Sequence, residues 1–175
     1  MPDAAWLSDR IRDIPDFPVA GVGFKDITPL LADPEAFGVV VDRLSEHFLG
    51  RRIDKVVGIE ARGFVLAAPV ALRLGAGFVP VRKPGKLPWT TAFEEYQLEY
   101  GTDRLEAHVD AFSPGERVAV IDDVLATGGT AAAAVRLIEA LGGEVVGLGF
   151  LLELTFLGGA ASLDGRDHLS LVTYD

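Results

Sequence analysis

The alternation of apolar and polar positions divides the chain into short strands and amphipathic helices. Leu7, Ile11 and Ile14 recur at helical spacing and predict a short helix over residues 3–13. The stretch "IPDFPVAGVGFKDITPL" is interrupted by three prolines and reads as extended chain and turns. Asp33-Pro34 marks a helix start, an N-cap followed by proline at the first helical position. Phe37, Val40, Val41, Leu44 and Phe48 then share one face, and Gly50 ends that helix. "KVVGI", residues 55–59, is a short buried strand, and "GFVLAAPVALRLG" a helix with Pro69 near its middle. "FVPVR", residues 78–82, is the next strand. Residues 83–103 show no clean period and read as a long loop, and 105–109 alternate as an edge strand. "RVAVID" is a strand, "TAAAAVRLIEAL" a helix, "EVVGLGFLL" a strand and "HLSLVTY" a closing strand.

Strands alternating with helices predict an α/β fold, a mostly parallel central sheet with helices on both faces. Residues 1–175 show no internal repeat, low-complexity segment or linker, so one domain is expected. In such sheets ligands sit at the carboxyl ends of strands. Three chemically loaded stretches fall there: "GIEARG", "VRKPGK" and "IDDVLATGGT".

Composition narrows the classes. At 175 residues and 49% apolar, the chain can bury a sizeable core. It has no apolar run of membrane-spanning length, and its acidic, polar N-terminus predicts no signal peptide. Cysteine is absent, which excludes disulfides and thiolate metal sites and fits a cytoplasmic protein. A formal net charge of −10 argues against a nucleic-acid partner. The positive ligands of any anionic substrate must therefore be concentrated locally.

"VAVIDDVLATGGT", residues 118–130, is the most specific segment. An apolar strand runs into Asp122 and Asp123, then into a glycine turn that enters a helix. Such a turn presents free backbone N–H groups and the positive end of a helix dipole to an anion. Gly128 and Gly129 let the backbone approach closely, and Thr127 and Thr130 add hydroxyl donors. Walker A spacing is missing, and "GLGFLL" does not make a dinucleotide fingerprint. Two carboxylates beside a phosphate cradle match the vicinal hydroxyls of a ribose, so the segment reads as a ribose 5-phosphate site. The plainer alternative is a solvated Asp-Asp turn before an ordinary helix. His47, His108 and His168 are scattered and are expected to be surface or hydrogen-bonded residues.

The segment resembles the signature of type I phosphoribosyltransferases, which bind phosphoribosyl pyrophosphate (PRPP) with Mg²⁺. "IPDFPVAGVGFKDITPLL", "GIEARGF", "RKPGKLP", "LEYG" and "LLELT" follow in the order of the adenine-specific branch, and the likeness covers about residues 11–155. It implies the type I phosphoribosyltransferase fold with a flexible lid loop at about 83–104, and transfer of phosphoribose from PRPP to adenine. It assigns the 5-phosphate to Ala126, Thr127, Gly128, Gly129 and Thr130, and the ribose to Asp122 and Asp123. Pyrophosphate falls to Glu60, Ala61 and Arg62, with Lys83 and Lys86 from the same or a neighbouring subunit. Mg²⁺ arrives with PRPP, held by it and by water, with no direct protein ligand. The purine lies between Phe24 and Leu154, its edge read by the main chain of Gly23 to Lys25. Glu99 is the acid/base group, with Tyr100 beside it on the lid. Members are homodimers. Gly23 and Lys25 depart from the usual larger apolar residue and arginine, and "PWTTAFEEYQLEYG" matches mainly at its ends. The alternatives are a transferase for another purine base and a non-catalytic PRPP-sensing regulator. The acidic chain lacks the basic face of the latter.

Overall fold

The computed structural model describes residues 3–98 and 101–175. Helix α1 (Ala4–Ser8) is shorter than the predicted 3–13. Asp3 caps it by accepting the Trp6 N–H. Ile14 precedes Pro15, and a residue before proline is driven out of helical conformation. The chain accordingly turns into β1 (Arg12–Ile14), which pairs antiparallel with β2 (Phe24–Asp26). After α2 (Thr28–Ala32) comes α3 (Pro34–His47). The Asp33 carboxylate caps α3 as predicted, accepting from the N–H groups of Glu35 and Ala36. Val40, Leu44 and Phe48 on the predicted face are fully buried.

The remaining elements are β3 (Lys55–Ile59), α4 (Gly63–Leu74), β4 (Gly77–Val81), β5 (Thr91–Leu98), β6 (Gly101–His108), β7 (Arg117–Leu125), α5 (Gly129–Ala140), β8 (Glu144–Leu154) and β9 (His168–Tyr174). Five of the strands form a parallel sheet in the order β4-β3-β7-β8-β9. The strands alternate, so each feeds two cores. Val56, Ala119 and Ile121 join Leu44, Phe48 and Leu66 on the α3–α4 side. Val57, Ile59, Val118 and Val120 join Ala134, Val135 and Ile138 of α5 on the other. Pro69 lies inside α4 without ending it.

Residues 83–103 are not a long loop. Most of them belong to the hairpin β5–β6, in register from Thr91↔His108 to Leu98↔Gly101. Tyr96, Leu105 and Ala107 are buried with the α5-side core. Charged Glu94 and Glu95 hide the alternation in the sequence, and Glu94 is accounted for by its ion pair with Arg136 of α5. The predicted edge strand at 105–109 therefore begins earlier, at Gly101. Paired main-chain bonds between Arg82 and Glu106, 2.9 and 2.8 Å, tie the hairpin to the end of β4. Two short 3₁₀ turns, Thr155–Leu157 and Gly159–Leu163, were not predicted.

Candidate active site

From β3 the chain passes outward to β4, then returns across β3 to β7. This reversal opens a crevice between the carboxyl ends of β3 and β7, where open α/β sheets bind ligands. Pairing of β3 with β7 stops at Gly58↔Ile121, whereas β7 stays paired with β8 as far as Leu125↔Glu153. Asp122 and Asp123 therefore do not mark the point where the strand leaves the sheet. They remain inside β7, beyond its last pair with β3, and line a cleft of about 510 Å³.

The two carboxylates differ. Asp123 is 6% exposed and accepts from Nε of Arg62. Asp122 accepts the Asp123 N–H at 2.9 Å. Burial, reinforced by the charge of Asp123, pushes the Asp122 carboxyl well above the usual range. Helix α4 packs tightly here. A Cβ on Gly63 would stand 2.6 Å from Oδ1 of Asp122 and 3.1 Å from the Ile121 carbonyl oxygen, so the last glycine of "GIEARG" is a packing requirement.

Beyond β7, Gly128 caps α5 at φ +81° with no side-chain cap, leaving the first-turn N–H groups open to a ligand. A recess of about 80 Å³ is lined by Ala126, Thr127, Gly128 and Thr130, and Gly129 opens the helix behind it. The second 3₁₀ turn supports this loop from below. Ser162 Oγ donates to the Thr127 carbonyl at 2.9 Å, and a Cβ on Gly128 would lie 2.8 Å from the Ser162 Cβ. Gly159 is equally constrained, since its Cβ would press on the Ala126 carbonyl.

The cations are held by acids. Arg82 donates to both Glu60 oxygens at 3.1 and 3.2 Å and to the Lys86 carbonyl at 3.0 Å. The Lys83 N–H reaches Glu60 at 2.9 Å. Burial opposes ionisation of Glu60, but these bonds prevail and hold its carboxyl below the usual range. The Glu60–Ala61 peptide is cis, and both residues line the cleft with Arg62 and Lys83. Lys86 is not among the cleft-lining residues of its own chain.

The apolar wall is Phe24, half-buried, with Leu154 on β8. The Arg62 guanidinium stands 5.0 Å from the Phe24 ring centre, and Phe17 meets that ring edge-on at 5.1 Å. Gly23 and Lys25 also line the cleft. The Lys25 ammonium is paired with Asp13 and stands 3.8 Å from the Tyr174 ring centre. Glu99 and Tyr100 lie outside the described residues. The histidines are not grouped, and one of them is not satisfied as expected. Nε2 of His108 is buried without a hydrogen bond among the described residues, whereas Nε2 of His47 stands 3.2 Å from the Asp167 carboxylate. Among those residues no group of three or more His, Cys, Asp or Glu could hold a metal ion.

Comparison with known proteins gives this geometry a family. Residues 31–158 match the phosphoribosyl transferase domain. An adenine phosphoribosyltransferase of Anaeromyxobacter dehalogenans (strain 2CP-1) is 59% identical over 165 residues, 94% of this chain and 96% of that protein. The chain belongs to the adenine phosphoribosyltransferases. The crystal structure of adenine phosphoribosyltransferase from Thermoanaerobacter pseudethanolicus matches with a TM-score of 0.95 at 53% identity, over 98% of this chain and 99% of that one. The Saccharomyces cerevisiae adenine phosphoribosyltransferase, solved with adenine and D-2,5-dideoxy-2,5-imino-altritol 1,6-bisphosphate, matches with a TM-score of 0.90 at 39% identity, over 97% and 98%.

In this adenine phosphoribosyltransferase fold, segments as distant in sequence as Phe24 and Leu154 meet at one cleft. Sequence reading missed the supports of that cleft: Gly63 under Asp122, Gly159 and Ser162 under the glycine loop, and Tyr96 and Asp103 on Lys83. The glycine pair at 158–159 was a readable signal for the second of these. The others depend on pairings between distant segments.

Proposed function

We infer that this chain transfers the 5-phosphoribosyl group of PRPP to adenine, giving AMP and pyrophosphate in purine salvage. The observation that carries this reading is the meeting, in one cleft, of an aspartate pair (Asp123 buried, Asp122 half-buried), an open helix N-terminus and a half-buried aromatic ring.

The proposed roles run along the cleft. Residues 126–130 take the 5-phosphate on main-chain N–H groups and the Thr127 and Thr130 hydroxyls. Asp122 and Asp123 accept the ribose hydroxyls. Arg62, Lys83 and the loop at Glu60 and Ala61 receive the pyrophosphate. Glu60 shapes that loop and not the charge, because its carboxylate is occupied by Arg82 and Lys83. Lys86 serves the neighbouring subunit of a homodimer. Adenine stacks between Phe24 and Leu154. Nitrogen attacks C1 of the ribose opposite the departing pyrophosphate, through an oxocarbenium-like state. Glu99 receives the proton the purine loses. The β5–β6 hairpin, in one domain spanning 1–175, acts as the lid that excludes water. Mg²⁺ would come with PRPP, held by its phosphates and by water, and the oxygens of Asp122 and Asp123 would meet that water shell and not the ion itself. When bound, it neutralises charge on the leaving pyrophosphate. The proposed setting is cytoplasmic.

A spectrophotometric assay with PRPP, Mg²⁺ and a panel of purine bases tests this reading. Main-chain groups matched to the adenine edge oppose hypoxanthine and guanine at two positions. Each unpaired buried polar group costs about 1–3 kcal/mol, so adenine is preferred about a hundredfold or more in kcat/KM. Phe24→Ala raises the adenine KM. Comparable rates with hypoxanthine or guanine would overturn the adenine assignment.

A further inference from the structure

Among the described residues, Lys83 is the cleft-lining cation whose side chain is held from the hairpin. Its ammonium donates to the Tyr96 hydroxyl at 2.8 Å and pairs with the Asp103 carboxylate. The Tyr96 hydroxyl also donates to Asp103, at 3.0 Å. Tyr96 on β5 and Asp103 on β6 are direct cross-strand partners, so one rung of the hairpin presents both groups to one lysine. The Lys83 backbone is fixed separately by its N–H bond to Glu60. Asp103 is in turn braced by the Arg104 N–H at 2.8 Å.

This arrangement has a physical consequence. An ammonium has three donors, and two are directed here by Tyr96 and Asp103, leaving the third without a partner among the described residues. A phosphate oxygen arriving in the cleft can take that donor without displacing either partner. A lysine side chain freed from such contacts must instead give up its rotamer entropy when the substrate orders it. Burial disfavours the charge on Lys83, but the bonds to Asp103 and Tyr96 overcome it and raise the amine above its ordinary value, so the cation is secured.

We propose that Tyr96 and Asp103 are positioning residues that aim Lys83 at the pyrophosphate moiety, making the hairpin part of the pyrophosphate site. The proposal rests on the phosphoribosyl-transfer reading and on the place of Lys83 in it. Asp103 does not touch the substrate; it acts through the lysine.

The test is a double-mutant cycle on the full-length enzyme, with forward KM for PRPP, reverse KM for pyrophosphate, KM for adenine, and kcat. Asp103→Ala is expected to raise the KM values for PRPP and pyrophosphate together. The ordering entropy is on the order of ten- to thirtyfold if all of it falls on binding, and with Tyr96 retained roughly three- to tenfold is expected. KM for adenine should hold. Tyr96→Phe, which removes one hydroxyl and keeps the packing, should move the same two constants less. Asp103→Asn keeps an acceptor oxygen and should recover part of the loss. In a Lys83→Met background, Asp103→Ala should have no further effect.

An unchanged KM for PRPP in both Asp103→Ala and Tyr96→Phe overturns the proposal. So does an equal rise from Asp103→Ala in the wild-type and Lys83→Met backgrounds, which is what simple loosening of the hairpin would give, or tighter PRPP binding by Asp103→Asn. If Lys83→Met itself leaves the PRPP and pyrophosphate constants untouched, the assignment of Lys83 fails first. If no base accepts phosphoribose from PRPP in the wild-type protein, the transfer reading fails.

Discussion

Arg62 lays its guanidinium on the Asp123 carboxylate, bridging the crevice between β3 and β7. The proposed pyrophosphate ligand and one proposed ribose ligand thus neutralise each other in the free protein. Substrate binding must redistribute that pair, with Arg62 turning to phosphate oxygens and Asp123 to hydroxyls. The Arg62 side chain is 45% exposed, so the exchange begins from a partly solvated cation and not from a sealed ion pair.

Arg62→Met should weaken PRPP binding about ten- to a hundredfold, the scale of a charge-assisted hydrogen bond. It also leaves buried Asp123 without its cation, at a cost to stability of about 1–2 kcal/mol. Isothermal titration with PRPP and denaturant unfolding measure the two effects separately.

Asp122→Asn should stabilise the free protein while weakening PRPP binding. The folded state raises the Asp122 carboxyl pKa through burial and the neighbouring Asp123 charge. The folded state therefore binds this proton more tightly than the unfolded chain does. That contribution to stability is present at acid pH and is lost as pH rises from the ordinary aspartate range through the folded value. The melting temperature of the variant should accordingly exceed that of the wild type by a margin that widens as pH rises. For a chain of this size, each kcal/mol recovered is worth about 2–4 °C. A margin that shrinks as pH rises would contradict the burial argument.

Gly128→Ala and Gly129→Ala should separate cleanly. Gly128 sits at φ +81° with the 159–163 turn directly against it. Alanine there costs about 1–2 kcal/mol for the left-handed backbone, and the overlap with the turn adds to that. Gly129 is the first residue of α5, and its Cβ would meet nothing nearer than Tyr96 Cδ2 at 3.6 Å. Gly129→Ala should leave stability within about 1 kcal/mol of wild type. Thermal unfolding compares them directly, and equal destabilisation would show that the 159–163 turn does not support the loop.

Glu99→Gln should lower kcat about a hundred- to ten-thousandfold with little change in PRPP affinity, as expected for loss of a general base. Rapid-quench measurement of the chemical step decides it. An unchanged chemical step would move the proton-accepting role to another group.

Much of the fold was legible because its signals are local. The Asp33-Pro34 cap and the 55–59 strand stand where the sequence puts them, since capping and a short apolar period need only neighbouring residues. The aspartate pair before a glycine turn was likewise readable, because a strand, two carboxylates and a helix entry are contiguous in the chain. The identity of the cleft residues came from several such segments in one order. What tertiary structure decided was everything that depends on a partner far along the chain. Residues 83–103 became a hairpin because β5 and β6 pair with each other and pack on α5, although Glu94 and Glu95 interrupt the apolar alternation. The chain does not announce that Glu60 will occupy Arg82, that Asp103 will hold Lys83, or that Gly159 will lie under Ala126. Even the access of Asp122 and Asp123 to the cleft follows from β7 staying paired with β8 after its pairing with β3 has ended. Local periodicity specifies which segments form strands and helices. The lengths to which strands stay paired, and the charges that meet across them, are set when those segments bury their apolar faces against one another.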